Sequence, residues 1–137
     1  MDFPRTQQKR LSRLVLGRIA EEAAARLLAA RGYRLLERNY RSRGGEIDII
    51  ARQGKEMVFV EVKSRSREDF GTPAQSVGKT KQRKLAELAQ GFVAHRLRRE
   101  VPWRFDIVEV WLTPAGKVLR TNILPGAFRP GFKNLNK

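Results

Sequence analysis

Apolar residues recur along this chain with two different periods. From about Ser12 to Arg31, Leu16, Ile19, Ala20, Ala23, Ala24, Leu27 and Leu28 fall at i, i+3, i+4, i+7 spacing. That spacing predicts a helix with one buried face, closed by Gly32. Residues 33–43 set Tyr33, Leu35 and Leu36 among four arginines, which suits a short strand or extended segment. Gly44-Gly45 then turns the chain, and Gly44 to Arg65 reads as two strands joined by a tight turn. A second helix is predicted from about Thr80 to Arg99, burying Leu85, Leu88, Ala89, Phe92, Val93 and Leu97. Arg104–Leu112 is the next strand and Lys117–Asn122 a shorter one, with Trp103 and Trp111 completing the core. The order helix, strand, strand, strand, helix, strand, strand predicts an α/β fold, a mixed sheet flanked by helices.

Composition adds boundaries and a partner class. At 137 residues and 41% hydrophobic content the chain has the size of one domain with a sizeable core. Residues 1–10 read as a flexible basic lead-in, 11–124 as the domain, and the Pro/Gly-rich basic stretch 125–137 as a flexible tail. Ser64–Gly78 reads as a polar loop placed to act as a lid or a substrate-guiding loop. The absence of cysteine fits a reducing cytoplasm, and the N-terminal residues lack the apolar core of a secretory signal. No segment is apolar enough to span a bilayer. Twenty-nine Lys and Arg against fourteen Asp and Glu leave a net charge of +15, which favours a polyanionic partner. Nucleic acid is expected; the basic residues form no polybasic block beside an apolar face, which argues against a membrane surface.

The candidate chemistry lies in the hairpin. Asp48 stands among Ile47, Ile49 and Ile50, and Glu61-Val62-Lys63 follows the apolar run Met57–Val60. Alternation places Glu61 and Lys63 on the face opposite Val58, Val60 and Val62, and pairing would bring Asp48 near Glu61. Two carboxylates and an ammonium at a sheet edge suit a hard divalent cation, which often takes one or two carboxylates plus phosphate and water. Such a cation polarises a scissile phosphate and acidifies bound water, and the lysine neutralises developing charge. The other reading is a charged sheet edge with Asp48–Lys63 and Glu61–Arg ion pairs. Glu21, one turn beyond Gly17, is either a solvated helix charge near Arg18 or an acid facing a ligand. Lys79, Lys81, Arg83 and Lys84 crowd the start of the second helix, against its macrodipole. They form either a phosphate site or a solvated basic face. Tyr40 is a stacking residue or a half-buried strand-end tyrosine, and His95 an ordinary helix-surface residue.

The stretches LGRIAEEAAARLLAARGYRLLERNYR, GGEIDIIA, MVFVEVKSR, KTKQRKLAELAQGFV and RFDIVEV, over about residues 13–112, add a resemblance. GEIDII followed by FVEVKSR resembles the D…(D/E)-x-K signature of the PD-(D/E)xK nuclease superfamily. The chain is similar in particular to the YraN-like family of small bacterial proteins, related to archaeal Holliday-junction resolvases. The resemblance implies a restriction-endonuclease-like core, a mixed four- to five-stranded sheet flanked by two main helices. Carried over by position, Asp48 and Glu61 would be metal ligands, Lys63 the catalytic lysine and Glu21 the helical acid that completes or assists the metal site. The cofactor implied is Mg²⁺ or Mn²⁺. Lys81 matches the basic residue opening the second helix, and Glu46 is an added acid of the GEID form. Ile47 replaces the superfamily's proline, and Ala20 stands where related chains often have glycine. The implied activity is hydrolysis of DNA phosphodiesters, on branched or single-stranded DNA, with DNA favoured over RNA and a homodimer for junction cutting. Arg41, Arg43, Arg65, Lys79, Lys81 and Lys84 are the expected nucleic-acid contacts. The alternative is a non-catalytic DNA- or RNA-binding module that keeps the fold.

Overall fold

The computed structural model describes residues 10–71 and 78–128. The expected lead-in up to residue 9, the middle of the loop (72–77) and the tail from 129 lie outside these. Helix α1 spans Arg13–Ala30 and α2 spans Lys79–Phe92; the strands are β1 Arg34–Ser42, β2 Gly45–Gln53, β3 Glu56–Arg65, β4 Trp103–Leu112 and β5 Val118–Phe128. They form one sheet in the order β1-β2-β3-β4-β5, antiparallel except for the parallel β3–β4 pair. The fold is α/β with a five-stranded mixed sheet and two helices, as expected.

Each boundary has a local cause. The Ser12 hydroxyl accepts from the Val15 N–H at 3.2 Å and starts α1. At its end, Tyr33 N–H reaches Leu28 O and Gly32 N–H reaches Ala29 O, with Gly32 at φ +89°. This is a Schellman closure, which asks for a left-handed residue at the glycine position. The helix buries Ala20, Ala24, Ala25 and Leu28, so small side chains bring its backbone close to the sheet. On that face they meet Ile49, Ala51, Val58, Val60, Val108, Val110 and Leu112. On the other face α2 sets Leu85, Leu88, Ala89 and Phe92 against Ile47, Ile50, Phe59, Phe105 and Ile107. The central strands, covered on both faces, therefore read as nearly continuous apolar runs.

Three details differ from expectation. The second helix does not run to Arg99: after Phe92 the chain makes a π-helical turn, Val93–Leu97, closed by left-handed Arg98. β5 continues past 124, through Pro125 and Gly126, to Phe128, which stacks on Phe105 with centroids 4.4 Å apart. Proline is tolerated there because β5 is an edge strand with one free hydrogen-bonding side. Trp111 is buried as expected, whereas Trp103 is only half-buried, edge-on to Phe59.

Asp106 and Glu109 point to opposite sides of β4, each into a buried ion pair. Fully buried Asp106 accepts from Tyr33 Oη at 2.8 Å, Arg104 Nε at 2.9 Å and Gly126 N–H at 2.9 Å. Arg104 also reaches Glu56 and Gln53, both at 2.5 Å, tying β2, β3, β4 and β5 together. Removing one partner of such a pair strands the other charge in a dry setting. Asp106→Ala is expected to cost about 3 kcal/mol in urea unfolding. A loss below about 1 kcal/mol would show that the pair behaves like a solvated one.

Candidate metal and nucleic-acid site

β2 and β3 pair from Gln53↔Glu56 to Ile49↔Val60, and the ladder stops there. One residue further, the carboxylate of Asp48 takes the Val62 N–H, at 2.8 Å to Oδ2. A side chain thus replaces the strand neighbour that Val62 would otherwise use. Strand alternation fails at the same point: Ile47 packs on the α2 side and Ile49, two residues on, packs on the α1 side. The neighbouring edge strand shows why. Asn39, flanked by the Arg38↔Ile49 and Tyr40↔Ile47 pairs, lies opposite Asp48 with φ at +54°. Asparagine is among the few non-glycine residues that accept this left-handed backbone.

Asp48 is the least compensated acid of the site. Among the described residues it makes no ion pair, and its Oδ1 has no hydrogen-bond partner. Burial pushes its carboxyl up to about 7, with the charges of Glu61, Glu21 and Glu46 adding to the rise; the Val62 N–H opposes them. Glu21 on α1 is also raised, by burial and then by Glu46. With its amide nitrogen toward the acids, Asn39 donates to Glu46 at 3.0 Å and to Glu21 at 3.3 Å, linking the two. Gly17, one turn before Glu21, faces open space.

Glu61 has the opposite environment. Its buried carboxylate is held by Lys81 from the start of α2, 2.5 Å from Oε2, and by Lys63, 3.9 Å from the same oxygen. The expected Asp48–Lys63 and Glu61–Arg pairs do not form among the described residues; both ammoniums gather on Glu61 instead. Oxygen donors for a hard cation come from Asp48 and Glu61. Among the described residues no three Asp, Glu, His or Cys side chains close into a ready-made ion cage.

The expected nucleic-acid contacts divide into two groups. Arg41, Arg43, Lys79 and Lys84 are exposed. Arg41 leans on Glu46 at 3.6 Å, and Arg43 and Lys84 line a cleft of about 200 Å³ with Glu87 and Leu88, between the β1–β2 turn and α2. Lys81 is half-exposed and engaged with Glu61. Arg65 is a correction: its side chain is 3% exposed, buried in an ion pair with Glu109 and lying 5.5 Å from the Trp111 ring centre. Parallel β4 brings that acid alongside, because Lys63↔Glu109 and Arg65↔Trp111 are register partners. Tyr40 is half-buried, edge-on to Phe92 at 5.3 Å, so it serves packing. His95 is exposed.

A family model described as "Uncharacterised protein family UPF0102" matches residues 20–110. The chain belongs to the UPF0102 family. A UPF0102 protein of Moorella thermoacetica is 49% identical over 112 residues, covering 82% of this chain and 93% of its own length. One from Symbiobacterium thermophilum is 48% identical over 113 residues (82% and 95%), and one from Dictyoglomus turgidum 43% over 113 residues (82% and 96%). The UPF0102 match spans every residue from Glu21 to Glu109 that builds the site. Among the described residues no helix is long and apolar enough to cross a membrane.

In this UPF0102 chain two groups escaped the sequence pattern: Asn39, whose only signal is an asparagine within an arginine-rich strand, and the Arg65–Glu109 pair, which had none. The Asp48 environment has a direct consequence. Its carboxyl ionises near 7 in the folded state and near 3.8 when exposed, so the folded state holds the proton more tightly. Stability from this group is complete below 3.8 and is lost as pH rises through about 7. Metal-free wild-type protein should therefore lose on the order of 2–4 kcal/mol relative to Asp48→Asn between pH 4 and pH 8. Parallel urea titrations of both proteins across that range check this; equal slopes would mean that Asp48 ionises freely.

Proposed function

We propose that this protein is a metal-dependent, endonuclease-like enzyme with a restriction-endonuclease-like core, hydrolysing phosphodiesters of branched or single-stranded DNA. The observation that supports it is a half-buried acid that makes no ion pair among the described residues, Asp48, beside Glu61 and Lys63 where β2 leaves β3. A carboxylate largely withdrawn from water and without a counter-charge is costly to ionise unless a cation joins it. The donors are oxygens, which fits Mg²⁺ or Mn²⁺ held by one or two carboxylates, with water and phosphate completing the shell. When bound, the metal supplies Lewis acidity and a more acidic water.

The chain's own residues supply the rest. Val62 N–H fixes the Asp48 carboxylate through Oδ2 and leaves Oδ1 for the cation. Glu61 is the second ligand, and Glu21, tied to Glu46 through Asn39, is the helical acid that assists from α1. Lys63, kept in the site by Glu61, donates to the phosphoryl oxygen as negative charge grows there. Arg41, Arg43, Lys79 and Lys84 offer exposed positive charge that would hold flanking phosphates. Cutting a four-way junction would take two copies related by a two-fold axis.

A second reading, a non-catalytic nucleic-acid-binding module, is favoured by one observation: Glu61 is already neutralised by two lysines. Labelled duplex, single strand, flap, four-way junction and RNA, incubated with Mg²⁺, Mn²⁺ or chelator, separate the two. The enzyme should cut in a metal-dependent way. Asp48→Asn should lower the rate at least ~100-fold and Lys63→Ala about 100-fold, with binding retained. Binding without cutting under both metals at low salt would favour the module.

A further inference from the structure

Lys81 is paired with a carboxylate that the metal-dependent reading assigns to the metal. Its ammonium lies 2.5 Å from Glu61 Oε2, closer than Lys63, and the carboxylate it holds is only 11% exposed. The lysine itself is half-exposed and stands on the first turn of α2 between exposed Lys79 and Lys84. One end of its reach is therefore the acid, and the other is the basic face that would meet a phosphate backbone. That turn has no acidic residue and no side-chain cap, and among the described residues Glu61 is the acid that pairs with Lys81.

We infer that Lys81 is a displaceable counter-ion: without nucleic acid it neutralises Glu61 and keeps divalent metal out, and a backbone phosphate draws it away and frees the ligand. The inference rests on the metal-dependent reading proposed above and assigns Lys81 a positioning role. A metal ion brought to the oxygen that Lys81 already holds at 2.5 Å meets like-charge repulsion, so Lys81 and the metal compete for Glu61 Oε2. A phosphate offers Lys81 an alternative partner of the same charge sign as the acid it leaves. Linkage then requires that nucleic acid tighten metal binding and that metal tighten nucleic-acid binding by the same factor. An unloaded chain would carry little metal, and the centre would assemble only on substrate.

The test is Mn²⁺ binding to the full chain in the absence of nucleic acid, by calorimetry or by the electron paramagnetic resonance of free Mn²⁺. Lys81→Met should bind Mn²⁺ about tenfold or more tightly than wild type, and Lys81→Arg, which keeps the charge, should stay near wild type. In chelator, Lys81→Met should also lower the salt slope of binding to a short DNA duplex by about one unit, as expected for one lost phosphate contact. Thermal unfolding of each variant verifies that it folds. A folded Lys81→Met with wild-type Mn²⁺ affinity would overturn the inference while leaving the metal site standing. An unchanged salt slope would overturn the hand-over to phosphate. Absence of Mn²⁺ binding in wild type, Lys81→Met and Asp48→Asn alike would remove the metal-dependent reading and the inference together.

Discussion

Everything at the candidate site depends on one substitution of partners: a carboxylate takes a backbone N–H that a neighbouring strand would normally take. Because Asp48 Oδ2 accepts from Val62, β2 can leave β3 without abandoning a half-buried donor. The departure opens the sheet at the point where Glu61 and Lys63 emerge. It also fixes Asp48 in a partly dry setting beside three other acids, which is why its proton is held so tightly. Left-handed Asn39 on the edge strand makes the shift geometrically available and then binds the two outer acids.

A second constraint sorts the charges of β3 and β4. Parallel pairing places Glu109 beside Lys63, and an acid so close would compete with Glu61 for the ammonium. Arg65 settles that competition by holding Glu109 inside the sheet, with its guanidinium against Trp111. A guanidinium suits this role better than an ammonium, since it is planar, stacks on an aromatic face and stays charged when buried. The outer members of the series, Glu61 and Lys63, are thereby left to each other and to Lys81.

Most of the architecture was legible in the sequence because it is periodic. The Leu/Ala stripe of α1, the Leu85–Phe92 stripe of α2 and the apolar strands carry their geometry in their spacing. The hairpin pairing, legible up to Ile49↔Val60, places Asp48 and Glu61 just past its end, although strand alternation fails there. What was not legible depends on partners distant in the chain. Arg65 reads as one more surface arginine until β4, 44 residues on, places Glu109 beside it. Asn39 reads as a polar residue in an edge strand until its backbone turns left-handed. The Pro125-Gly126 pair signals a tail by composition, yet an edge strand tolerates both, and the ring of Phe128 on Phe105 holds that segment in place. Family membership adds that chains of similar length share much of this sequence, and leaves the chemistry to be argued from the site.

The net charge of +15 and an acidic centre are compatible because they act over different distances. Exposed cations act through solvent over about a Debye length of 8–10 Å, so on the proposed reading they would gather a polyanion whatever its sequence. Buried acids act only on what enters the opening between β2 and β3, where screening is weak. The two sets meet at Glu61, the one carboxylate of the site with cations from both its own strand and α2. Asp48, with Glu21 and Glu46 near it, lies on the acidic side of that boundary and Lys63, Lys81 and Lys84 on the cationic side. On the proposed reading a metal ion belongs on the first side and a phosphate on the second. The scissile group would then sit at the border, in contact with the cation and with Lys63 at once. A uniformly basic or uniformly acidic cleft would hold only one of the two.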